Sequence, residues 1–117
     1  MGVIRQDYGN IIGSSGIPDI VDFVATTGGE YTLNITGNSE STLYALLYSS
    51  SSTQSVRETN ATITASTGCN YEKIDEITNN TTYLSIYKLT NCQSSLSITT
   101  GSGSSSTGKN ILIFKTT

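Results

Sequence analysis

From Ile20 onward the chain alternates apolar and polar residues with a period of two, the mark of strands that bury one face. Ile20 to Ala25 reads as a first strand, closed by Thr27-Gly28-Gly29. Glu30 to Thr36 follows, with Tyr31, Leu33 and Ile35 on one side and Thr32, Asn34 and Thr36 on the other. After the turn residues Gly37-Asn38-Ser39, Thr42 to Ser49 is apolar on both faces, as expected of a central strand. Ser49 to Ser52 is a serine loop, and alternation resumes from Asn60 to Ala65. Tyr71 to Thr78 is ambiguous: Ile74 and Ile77, three apart, fit one helical turn or a short strand. Asn79-Asn80 signals a turn, Thr82 to Leu89 a strong strand, and Ser95 to Thr100 another. Gly101 to Gly108 reads as a flexible loop, and Asn110 to Lys115 as the closing strand. No other stretch suggests a helix.

This pattern predicts an all-β antiparallel sandwich or jelly roll of about seven to nine strands. Its expected core includes Leu33, Ile35, Leu46, Ile63, Leu84, Ile86, Ile98 and Ile113. A chain of 117 residues has the length of one domain. Residues 19–117 form the sandwich in this reading, and residues 1–18 an extended N-terminal arm. The arm is broken by Gly9, Gly13 and Gly16 and ends at Pro18, which cannot donate to a central ladder. Yet it carries Val3, Ile4, Tyr8, Ile11 and Ile12, too apolar for a tail kept in water. These five residues are candidates for attachment, by adding a strand to its own sheet edge or to a partner's.

Composition changes the picture in one respect. Charged residues make up only 13% of the chain, and hydroxyls replace them, with 18 Ser and 19 Thr. The net charge is −3 and the six basic residues are scattered. Phosphate neutralisation needs a clustered basic face, so no nucleic-acid partner is expected. No apolar run approaches the roughly 20 residues of a membrane span, and no membrane partner is expected either. Met1-Gly2-Val3-Ile4-Arg5 lacks the apolar centre of a signal peptide, which predicts use without secretion or a leader already removed. Gly2 is no myristoylation site, since Gln6 stands where Ser or Thr is required.

Candidate chemistry is thin. With no histidine, Ser-His-Asp and Cys-His catalysis are excluded, and no enzyme activity, cofactor or metal site is expected. Glu72, Asp75 and Glu76 form the one acidic cluster, but neighbouring carboxylates on a strand face opposite ways. Asp19 and Asp22 lack the spacing of a calcium loop. Gly103 to Lys109 has P-loop spacing, but Asn110 replaces the required hydroxyl and a strand follows. Four glycosylation sequons, at Asn34, Asn60, Asn79 and Asn80, are expected by chance in so Asn- and Thr-rich a chain. Cys69 and Cys92 form a candidate disulfide that spacing alone leaves undecided. Seven tyrosines stand against two phenylalanines and no tryptophan. Tyr44 and Tyr48 share one strand face and Tyr83 and Tyr87 another, so these four are either sandwich core or an aromatic binding surface.

Two resemblances bear on function. Asp22-Phe23-Val24, Gly28 to Thr36 and Thr42 to Tyr48 resemble the opening strands of bacterial prepeptidase-C-terminal-type sandwiches. Thr82 to Tyr87 and Ser95 to Thr99 are similar to their closing strands. The apolar arm and the strand after Gly108 depart from that pattern. The format of a short apolar arm, Met1 to Ile12, on a low-charge β body resembles small accessory virion proteins of tailed bacteriophages. That resemblance implies a non-enzymatic decoration or fibre-like component on a virion surface, held by its arm to capsid or tail subunits and capable of homo-oligomerisation. The sandwich resemblance implies instead an extracellular module that adheres to a glycan or other surface.

Overall fold

The computed structural model describes residues 19–37, 39–66 and 68–116, with the backbone alone at 104–106. Residues 1–18, including the five candidate attachment residues, lie outside the described residues. Among the described residues, eight strands and one helix follow in order: β1 (Asp19–Gly28), β2 (Thr32–Thr36), β3 (Thr42–Ser50), α1 (Gln54–Asn60), β4 (Ile63–Ala65), β5 (Asn70–Thr78), β6 (Thr82–Thr90), β7 (Ser95–Thr100) and β8 (Ser104–Thr116). They form two antiparallel sheets, one of five strands in the order β1-β8-β3-β6-β5 and one of three in the order β2-β7-β4. The all-β sandwich expected from the alternation is therefore the fold. Leu33, Ile63, Leu96 and Ile98 of the small sheet meet Leu43, Leu47, Leu89, Ile111 and Ile113 of the large one in a single core.

Local chemistry explains the hairpin between β5 and β6. The Asn79 side-chain Oδ1 accepts from the Thr81 and Thr82 amides at 3.1 and 2.9 Å and from the Thr82 hydroxyl at 2.6 Å. That replaces a backbone turn with a side-chain one. Residues 70–78 are strand throughout, not helix. Ile74 falls in a register shift between Lys73 and Asp75, and this bulge produces the three-residue spacing of Ile74 and Ile77. After β6, Asn91 turns the chain with φ 55°, a region asparagine tolerates, and presents Cys92 to Cys69. The two cysteines are bonded, with sulfurs 2.04 Å apart. A Cβ on nearby Gly37 would collide with the Gln93 carbonyl, so only glycine permits β2 to end this close to the disulfide loop.

Three expectations are corrected. First, α1 exists where no helix was expected, and Asn60, read as the start of a strand, is its last residue. Its inward residues are Arg57 and Asn60, so it has no apolar stripe to betray it. Arg57 Nη1 donates to the Ser51 carbonyl at 3.2 Å. Asn60 donates to the Thr107 hydroxyl at 2.7 Å and accepts from the Gly103 amide at 2.8 Å. Burial of these atoms is tolerated because they are hydrogen-bonded, whereas Arg57 Nε is buried without a partner among the described residues. Second, the expected loop from Gly101 to Gly108 is largely strand, since β8 already begins at Ser104 and pairs with β1 back to Gly28.

Third, Leu46, Leu84 and Ile86 do not enter the core. On β3 the buried positions are Leu43, Ala45, Leu47 and Ser49, and on β6 they are Tyr83, Ser85, Tyr87 and Leu89. The helix packs against the inner side of β3, β6 and β8. That leaves room for small residues, and Ser85 Oγ donates to the Ala61 carbonyl at the helix end, at 2.6 Å. Leu46, Leu84 and Ile86 face the other way.

Candidate interaction surface

The side of the five-stranded sheet turned away from the small sheet is built from residues that the ladder sets in rows, because cross-strand partners share a face. One row reads Ile20, Phe114, Tyr44, Lys88 and Glu72 across all five strands. The next reads Phe23, Leu112, Leu46, Ile86 and Asp75, and the third Ala25, Asn110, Tyr48, Leu84 and Ile77. On the three middle strands these rows hold no acidic group and one cation, Lys88. Phe23 is 59% exposed, Ile77 62% and Ile20 60%. Leu46, Leu84, Ile86, Leu112 and Phe114 are half-buried. Tyr44 stacks on Phe114, with ring centroids 5.3 Å apart. Hydroxyl residues close both ends of the face, Thr42 and Thr116 at one and Ser50 and Thr82 at the other. An apolar centre of this extent, closed at both strand ends by polar groups, has the anatomy of a protein interface.

The four sequence-predicted tyrosines are divided between the two faces. Tyr44 and Tyr48 stand on this outer surface, whereas Tyr83 and Tyr87 point into the sandwich and are buried. They do not form one platform. The acidic cluster is divided the same way: Glu72 and Asp75 are on the outer face and Glu76 on the inner. Glu76 and Lys73 form an ion pair of 2.6 Å at the β5 edge, and both bond the Tyr83 hydroxyl. The Lys73 ammonium and the Tyr83 hydroxyl hold the Glu76 carboxyl below its usual range, and Lys73 is raised in turn. Burial pushes Tyr83 and Tyr87 up. This is a structural pairing that ties the edge strand to its neighbour.

Lys109 went unremarked in the sequence except as the end of a P-loop-like run. It is 2% exposed, inside the sandwich, donating to the Thr100 hydroxyl at 2.6 Å and the Gly101 carbonyl at 3.0 Å. Desolvation lowers its pKa, with Glu30 opposing weakly. Gly103, at the start of that run, donates its amide to Asn60 and to the Gly28 carbonyl, and Gly108 lies within β8. The run therefore forms a loop-to-strand junction. Asp19 and Lys115 pair across β1 and β8 beside a cleft of about 450 Å³ between the sheets, near the start of β1. Among the described residues no three His, Cys, Asp or Glu side chains gather as a metal site. No helix among them is long and apolar enough to cross a membrane. No family model, curated protein or solved structure matches the chain.

Proposed function

We propose that this chain is a non-enzymatic structural protein that acts by packing the outer face of its five-stranded sheet against another protein surface. The observation that carries this reading is the set of three apolar rows, from Ile20 and Phe23 on β1 to Leu84 and Ile86 on β6. Burying apolar surface returns about 25 cal/mol per Å², so an open face of this kind is a strong driver of association. An accessory component of a virion-like particle, the role its format resembles, fits a chain that works through such a face. The carbohydrate-binding alternative draws less support. Tyr83 and Tyr87 are buried, and the ring of Tyr44 is already engaged by Phe114.

The test is purification of the chain from cells that make it, as wild type and as Leu46→Glu/Leu112→Glu. The expected result is that the wild type brings down structural subunits or further copies of itself, and that the substituted face loses them. The same set of companions from both forms would overturn the reading.

A further inference from the structure

We infer that the outer face of the five-stranded sheet is occupied by the same face of a second copy of this chain, giving a twofold, sheet-on-sheet dimer. This rests on the reading of that face as an interface. Three features select a second copy over an unrelated partner.

The first is size. Strands of nine residues, such as β3, β5 and β6, are about 30 Å long at about 3.3 Å per residue. Five of them at about 4.8 Å spacing give a face of roughly 700 Å². A stable interface takes about 800 Å² from each partner. The face is thus near one standard interface, with little left over.

The second is polarity. Transient partners meet through surfaces about as polar as the rest of the protein, whereas homodimer interfaces are the more apolar class. Phe114, Leu112, Tyr44, Leu46, Leu84 and Ile86 belong to the latter.

The third is symmetry. β3 is the middle strand of five, with apolar strands on both sides. A twofold axis lying between the faces and running roughly along β3 sets apolar strands on apolar strands. It places the β5 flank, with Glu72 and Asp75, over the β1 flank of the other copy. An axis across the strands would instead set those carboxylates against themselves, which like-charge repulsion disfavours. Packed sheets lie about 10 Å apart with strands rotated by about 30°, so the dimer is a stack of four sheets with the small ones outermost.

Sedimentation equilibrium of the full chain, from about 1 to about 500 μM, tests this, because a dimer is revealed by mass action. The expected species has twice the 12.4 kDa chain mass. Phe23→Glu, which sets a carboxylate opposite Glu72 and Asp75 of the other copy, and Leu46→Glu each bury a charge in the interface and should raise the dimer dissociation constant at least about a hundredfold. Phe23 lies on an edge strand and is more than half exposed, so its substitution leaves the core intact. Circular dichroism of each variant checks the fold. A wild type at monomer mass throughout, or a dimer indifferent to both substitutions, overturns the inference. Binding of the apolar dye ANS then separates the outcomes. A monomer that binds the dye through this face leaves it open for a different protein, and the proposed function stands without self-association. A monomer that does not bind it has the face covered by its own chain, and both readings fall.

Discussion

Leu46 and Leu47 are adjacent on β3, yet their truncation should have different consequences. Leu47 is 1% exposed on the inner face, paired with Ile111 and Ser85 and closed over by the small sheet. Leu47→Ala removes apolar atoms from a closed core and leaves a cavity, at a cost of about 3 kcal/mol. For a domain of this length that is a fall of roughly 12 °C in Tm, at about 4 °C per kcal/mol. Leu46 lies between Leu112 and Ile86 on the open face. In a monomer Leu46→Ala forfeits only partial burial, about 1 kcal/mol or less. Any further loss belongs to association and therefore grows with protein concentration. Urea unfolding followed by far-ultraviolet circular dichroism, at about 1 μM and again at about 100 μM, separates the two, provided the m-value is unchanged. The Leu47→Ala penalty should be equal at both concentrations relative to wild type at the same concentration, and the Leu46→Ala penalty larger at the higher one. Equal, concentration-independent losses at both positions would refute the assignment of faces.

Other consequences follow from single contacts. Replacing Cys69 and Cys92 together by serine, or reducing the bond joining them across a separation of 23 residues, should cost roughly 3 kcal/mol through the unfolded chain; thermal melts with and without reductant measure it. Asn60→Ala removes the bonds to Thr107 and Gly103 and should cost about 2 kcal/mol; an unchanged urea midpoint would show that the loop does not depend on them. Lys109 has a lowered pKa in the folded state, so between that value and the ordinary lysine range the unfolded chain binds more protons. Stability should therefore rise with pH across that window in the wild type relative to Lys109→Met; parallel pH profiles of the two would contradict it. Glu76, with its pKa held down, contributes stability present above the ordinary carboxylate range and lost as pH falls through its folded value, an effect kept small by its exposure.

Much of the strand layout was legible because period-two alternation and turn residues are local signals. Ser95 to Thr100 was read with the bounds it has, and Thr42 to Ser49 and Thr82 to Leu89 to within a residue. The helix was not legible, because its buried residues are Arg57 and Asn60 and their hydrogen-bond partners are remote. Nor was the bulge at Ile74, which mimics helical spacing. The apolar face was half visible: the sequence marked Thr42 to Ser49 as apolar on both sides but could not say which side faced the core.

By itself, then, the sequence determined that this chain makes short strands, where β3, β6 and β7 begin and end, and that β3 carries two apolar faces. Those properties reside in a residue and its immediate neighbours. The tertiary structure alone decided that Cys69 meets Cys92, that β8 inserts between β1 and β3, and that Tyr83 and Tyr87 go in while Leu84 and Ile86 go out. Alternation is symmetric under exchange of the two faces. The choice is made only when a second layer arrives, and here the arriving layer includes a helix that packs on β3, β6 and β8, where Ser49 and Ser85 are buried.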